Sequence, residues 1–333
     1  MDLPNAVYAF RWFVRDTFRQ ASDSRLSWLM LGCSGVFVAL CLSVGVNGEV
    51  PLQKEGVPVD FLPSGDPLAE TVRVSSSGVA VVGGQLTVFF GFIRVPLGRD
   101  AAEAVHFLEL LLAGLAADTF GVLLALVWTS GFFSSFLDPN SASVLLAKPI
   151  PRWLVLLGKY VGVLAFVSAH ILLFVFGTWS ALGIKTGQWR FDYLLCIPIF
   201  VFHFAVFFAV SCLLAIRTRS TVVCAIGSLS FWLLCWGVNY TRHAMTTTSE
   251  GGTGPQVVRT LAETGYWVLP KPSDLSMVLF DSLNAGRSFH RPEVFHSLDK
   301  LSVFQPSLSL ATSFLFAFVT LAACSYLFAS QDY

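Results

Sequence analysis

Charge is what this sequence has least of. Only 13% of its 333 residues are Asp, Glu, Lys or Arg, and acidic and basic residues balance at 21 each, so no basic nucleic-acid footprint is present. The cysteines are not placed to bind metal or one another. All seven (Cys33, Cys41, Cys196, Cys212, Cys224, Cys235 and Cys324) fall in apolar runs, and no C-x-x-C pair occurs. This argues against a disulfide framework and a cysteine-type zinc site. Also missing is G-x-x-x-x-G-K-[ST]: Gly158-Lys159 is followed by Tyr160 and lacks the upstream glycine, so the chain does not cradle nucleotide phosphates by that device. There is no H-E-x-x-H and no G-x-S-x-G, which leaves an embedded protease or serine hydrolase unsupported. No repeat of fixed period is visible.

Apolar side chains are what the sequence has in excess. They make up 55% of the chain, and the mean hydropathy is +0.69, too apolar for an ordinary soluble protein. The expected fold class is all-α: a polytopic membrane protein with six transmembrane helices, an N-terminal amphipathic interfacial helix and a small extracytoplasmic β-hairpin. In residues 1–25, Phe10, Phe13, Val14, Thr17 and Phe18 share one helical face, with Arg11, Arg15, Asp16 and Arg19 opposite. Such a helix is expected to float along the headgroup boundary. The first span is read at 26–46, and Arg11, Arg15, Arg19 and Arg25 before it put the N-terminus in the cytoplasm.

Residues 47–116 read as an extracytoplasmic segment. It holds strands at 71–74, 79–82 and 86–95, a Gly83-Gly84 hairpin turn, and a helical extension from Ala101 that stands outside the bilayer. Residues 117–240 carry the second to fifth spans, the second at 117–137 and the third at 154–184. The fourth is at 193–216, kinked by Pro198, and the fifth at 221–240. Residues 241–307 form another extracytoplasmic segment. In it Tyr266, Trp267, Pro270 and Pro272 precede a helix aligning Leu275, Val278, Leu279 and Leu283, which dips into the membrane without crossing. The sixth span and a cytosolic tail occupy 308–333, so both termini are expected in the cytoplasm of a cell-membrane, multi-pass protein.

Polar groups within spans mark candidate pathways. Asp118 and Glu109 lie on opposite faces, with Asp118 near the outer interface where a carboxylate stays wet; the two either bind a cationic substrate at the outer mouth or form a helix-end or loop salt bridge. His170 and His203 lie near the middle of the third and fourth spans. They either face each other or a cavity, or make interhelical hydrogen bonds; as a metal pair they lack further ligands, so no metal is expected. The polar break at 137–153 is the longest cytosolic connection. Asp138 caps a short helix begun by Pro139, and Lys148-Pro149 ends it.

The run LDPNSASVLLAKPIPRWLVLLGKY, set after an amphipathic helix, a first span and a long outer segment, resembles the membrane subunits of bacterial ABC transporters of the type-two permease family. Within it the likeness is to permeases paired with a separate ATPase, such as the membrane subunit of the nitrous-oxide reductase maturation exporter. The resemblance implies a coupling loop whose ATPase-facing residues are Asp138, Leu145, Leu146, Lys148 and Arg152. It implies a permease subunit of an ATP-driven exporter, two permease copies (a homodimer or a pair) and two ATPase subunits. No cofactor is expected on this chain: ATP and Mg belong to the partner ATPase, hydrolysis happens there, and membrane lipid is the other partner. A membrane scaffold without transport is the alternative, and an embedded enzyme using His170 or His203 a third reading.

Overall fold

A computed structural model describes residues 3–47, 72–74, 80–82, 85–88, 91–96, 101–136, 151–247, 256–285 and 304–330. Helices dominate. They are α1 (Leu3–Asp23), α2 (Arg25–Leu42), α3 (Ala101–Leu111) and α4 (Val122–Phe136), the last two joined by a π-helical segment, Leu112–Gly121. Then come α5 (Arg152–Thr186), a 3-10 turn at Phe191–Leu195, α6 (Cys196–Thr218), α7 (Thr221–Thr247), α8 (Gln256–Val268), α9 (Pro272–Ser282) and α10 (Pro306–Ser330). Among the described residues, six stretches are long and apolar enough to cross a membrane: Arg25–Leu42, Val105–Ser134, Arg152–Thr186, Phe191–Thr218, Thr221–Thr246 and Pro306–Ser330. This is a polytopic all-α membrane protein. The 35 residues of α5 reach roughly 50 Å at about 1.5 Å per residue, longer than a hydrocarbon core of about 30 Å.

Helix ends follow the local sequence. Gly187 closes α5 with φ 73°, where glycine carries no steric cost, and its N–H reaches the Gly183 carbonyl. Arg219 closes α6 in the same left-handed region. Pro198 falls in the first turn of α6 rather than inside a longer helix, because the chain enters through the 3-10 turn. At that position the missing N–H has no partner to lose, so the expected interior kink is not required.

The core of the bundle is aromatic. Tyr160 donates to the Ala205 carbonyl at 2.7 Å and stacks on Phe208, fastening α5 to α6. Phe133 of α4 meets Phe208 at 5.8 Å, and Trp128 meets Phe166 at 5.0 Å. The extension from Ala101 also packs on this bundle. Leu110 and Ala113 are buried with Val175 and Trp179 of α5, Tyr193 of the 3-10 turn and Phe200 of α6, and with Leu279 of α9 and Leu283 just after it.

Among the described residues the β-structure is two small sheets. Strand β1 (Gly45–Asn47), read as the end of the first span, pairs antiparallel with β4 (Gln85–Val88), which pairs with β5 (Ile93–Pro96); β2 (Val72–Val74) pairs with β3 (Ala80–Val82). The expected Gly83-Gly84 hairpin turn lies outside the described residues. The strands flanking it, β3 and β4, belong to different sheets. The strand expected at 86–95 instead folds back on itself at Gly91, φ 92°.

Candidate functional site

At one end of the bundle α1 lies across the start of α5. Gly158 and Gly162 are one turn apart on α5, and α1 fills the groove they leave. A Cβ at Gly158 would stand 3.1 Å from the Phe13 ring, and one at Gly162 would stand 2.7 Å from Thr17 Oγ1 and 3.1 Å from its Cβ. Thr17 cannot turn away freely, since its hydroxyl donates to the Phe13 carbonyl at 2.9 Å. Between the two glycines, Lys159 is 1% exposed; its Nζ donates to Gln20 Oε1 at 2.6 Å and lies 3.7 Å from Asp16 Oδ2. The amphipathic face of α1 is therefore where the sequence puts it, with Phe13 and Thr17 buried and Arg11, Arg15 and Arg19 exposed. Phe13 and Thr17 of that face are covered by α5, so the helix is docked on the bundle. Small residues every fourth position permit that close approach of two backbones.

The coupling residues of the sequence reading are divided. Asp138, Leu145, Leu146 and Lys148 lie outside the described residues. Arg152 opens α5, and its Nη1 donates to the Ala329 carbonyl at the end of α10, 3.1 Å away. The start of α5 thus holds both α1 and the end of α10 on one side of the bundle.

Toward the opposite end, α9 enters the bundle between α7, α10 and the π-helical segment, carrying two buried polar networks. In the first, Asp118 Oδ1 accepts from His203 Nδ1 at 2.8 Å, and Asp118 Oδ2 accepts from Ser276 of α9 at 2.5 Å. Trp232 Nε1–H donates to His203 Nε2 at 3.1 Å. A ring that donates from Nδ1 and accepts at Nε2 is neutral imidazole in the Nδ1–H tautomer. Asp118 is 2% exposed, which corrects the expectation of a wet carboxylate. The local sequence did not show that His203, 85 residues on, would cover it.

In the second network Asp274 of α9 accepts from three side chains: His243 Nε2 at 2.6 Å, Tyr266 Oη at 2.7 Å and Ser309 Oγ at 2.5 Å. Burial alone would raise the Asp274 carboxyl; the bonds from His243, Ser309 and Tyr266 outweigh it and hold the group below the usual carboxylate range. Beside it Lys271, buried and lowered by that burial, donates to Thr312 Oγ1 and lies 4.6 Å from the centre of the Tyr266 ring. Arg242 covers the same ring at 3.9 Å and pairs with Glu263 at 3.2 Å. A cavity of about 220 Å³ opens next to Arg242, Tyr266, Trp267 and Ser309.

His170 and His203 do not face each other. His170 Nδ1 lies 3.3 Å from the Phe166 carbonyl, and its ring packs on Trp128 and Phe166. Glu109 pairs with Arg190 at 3.7 Å, as the salt-bridge reading expects. Among the described residues no group of three His, Cys, Asp or Glu is placed to hold a metal. Asp274, His243, Lys271 and Ser276 were missed from sequence, and Lys159 was seen only as part of the Gly158-Lys159 pair. The available signal was a lysine between two prolines with an aspartate two residues beyond the second, just after Tyr266-Trp267, at the start of a largely apolar helix.

Residues 20–333 match the family described as ABC-2 family transporter protein, nearly the whole chain, and the chain belongs to that family. No curated protein matches it, so the likeness to the nitrous-oxide maturation permease rests on the loop residues alone.

Proposed function

From that membership we propose that this chain is the permease subunit of an ATP-driven exporter, receiving its drive from a separate ATPase that docks on residues 137–153. Family membership supports the coarser statement, a membrane permease of an ABC transporter, and implies an ABC ATPase as partner. The observation that carries the coupling reading is the double anchorage of α5. Its first residues hold α10 through Arg152 and α1 through Lys159, Gly158 and Gly162. A push on the connection entering α5 is then delivered to three helices at once. In this reading the α1 end is cytoplasmic, Asp138, Leu145, Leu146 and Lys148 meet the ATPase, and two permease copies form the path. ATP and Mg act on the ATPase. Coupling requires that the connection bind the ATPase differently in its nucleotide-bound and nucleotide-free states.

The test is co-purification of candidate ATPases with the wild-type chain and with the double variant Leu145→Arg, Leu146→Arg. Loss of the ATPase from the variant, with its thermal stability retained, is the expected result. Undiminished association overturns the docking site and favours the scaffold reading.

A further inference from the structure

The cavity of about 220 Å³ lies where α7, α8 and the start of α10 meet, lined by Arg242, Tyr266, Trp267, Gln305, Leu308 and Ser309. Pockets that enclose a whole small molecule run to about 300–1,000 Å³. This one has room for the polar end of a longer molecule. Its depth in the membrane follows from α7, which begins just after the basic turn Arg217-Thr218-Arg219. Arg242 stands 21 residues beyond Thr221, roughly 30 Å along the helix at about 1.5 Å per residue, the thickness of a hydrocarbon core. The cavity is therefore at the level where hydrocarbon gives way to headgroups.

Arg242 decides what such a cavity would hold. Its side chain is only 10% exposed, and its Nε–H donates to Glu263 Oε2 at 3.2 Å. A guanidinium carries five N–H donors, and among the described residues no acceptor meets those on the two terminal nitrogens. Neither terminal nitrogen is sealed in, since neither is among the buried polar atoms left unpaired. The accessible tenth of the side chain opens on the cavity that Arg242 lines with Tyr266, the ring it covers at 3.9 Å. The surrounding charge suits an anion. Arg242, Lys271 and Arg259 are three basic side chains set against two carboxylates, Glu263 and Asp274, with His243 beside the Tyr266 ring. Both Glu263 oxygens already accept, one from Arg242 and the other from Trp267 Nε1–H at 3.0 Å.

We propose that this cavity binds the phosphate of a membrane phospholipid, which accepts from the terminal N–H groups of Arg242 while the acyl chains lie against Trp267 and Leu308. The planar fork of a guanidinium matches two phosphate oxygens at once. Trp267 and Leu308 line the cavity and are also exposed on the outside of the bundle. Beside them Val257, Leu261 and Val268 are exposed along one face of α8 and extend that apolar surface. A soluble anion would leave this surface uncovered; a chain-bearing phosphate covers it. The site does not depend on the coupling reading. Only its leaflet, the outer one, rests on the cytoplasmic placement of the α1 end.

The experiment uses the full chain in dodecyl maltoside micelles, with a photoactivatable phosphatidylglycerol and a diacylglycerol bearing the same photoactivatable chains. Cross-links are mapped to 256–268 and 304–312. The phospholipid should label these peptides about tenfold more than the diacylglycerol, the effect of a hydrogen bond between charged groups. Arg242→Gln should bring the phospholipid down to the diacylglycerol level. Diacylglycerol labelling should be unchanged, which reports that the variant is folded. Glu263→Gln removes the carboxylate that competes for Arg242 and should raise phospholipid labelling about twofold, a gain that misfolding does not produce. Equal labelling by the two lipids in the wild type overturns the proposal, as does phospholipid labelling indifferent to both substitutions. Unlabelled glycerol phosphate separates the sources. Competition only at large excess supports the phospholipid; competition at equal concentration marks a free phosphate compound as the ligand and overturns it.

Discussion

The two ends of this bundle are held together by different physics. At the α1 end the join is one of shape: two glycines open a groove, Phe13 and Thr17 fill it, and a single buried ammonium, Lys159, adds direction. At the opposite end α9 is held by directional bonds. Asp274 takes three donors and Asp118 two, from five separate elements. A shape-based join tolerates small sliding at little cost, because dispersion contacts are individually weak. A buried carboxylate surrounded by donors does not, since moving any donor leaves a desolvated group unpaired. The contrast fits a membrane domain driven at one end and latched at the other.

The comparison is most severely tested at Asp274. Asp274→Ala removes the acceptor shared by His243, Tyr266 and Ser309, and should cost about 3–5 kcal/mol, seen as the largest fall in melting temperature of any single change here. An effect below that of the α1-end variants would reverse the assignment of latch and groove. Next comes Gly162→Leu, which places a side chain where Thr17 and the α1 backbone already stand. Overpacking of about 1–3 kcal/mol should release α1, so that trypsin cuts at Arg11, Arg15 and Arg19 faster than in the wild type while bundle melting changes less.

Acid should separate the two ends more gently. The Asp274 carboxyl is depressed in the folded protein. Its contribution is therefore complete above the unfolded value of about 3.9 and is lost as pH falls through the lower folded value. Melting temperature followed from pH 6 to pH 3 should drop at the acid limb in the wild type and be flatter in Asp274→Asn. The smallest effect belongs to Arg152→Ala. Its bond to the Ala329 carbonyl lies at an exposed position, and losing it should cost less than about 1 kcal/mol; the sharper readout is reduced cross-linking between the start of α5 and the end of α10.

What the sequence by itself determined is whatever depends on composition over a single helix. The six spans emerge from uninterrupted apolar runs, and the described helices Arg152–Thr186, Phe191–Thr218 and Pro306–Ser330 contain the runs read at 154–184, 193–216 and 308–330. The face of α1 was equally legible, because the 3.6-residue period places Phe13 and Thr17 together whatever they touch. Gly158-Lys159 was noticed, though only as part of a motif. The tertiary structure decided what covers each face and what answers each charge. Whether Phe13 meets lipid or α5 is set by two glycines about 145 residues away, and an apolar face is equally satisfied by either. Asp118 and His203, or His243 and Asp274, carry no mutual signal along the chain. Each is an unfavourable buried group by itself, and only the packing of the π-helical segment on α6, and of α9 on α7, turns the penalties into bonds.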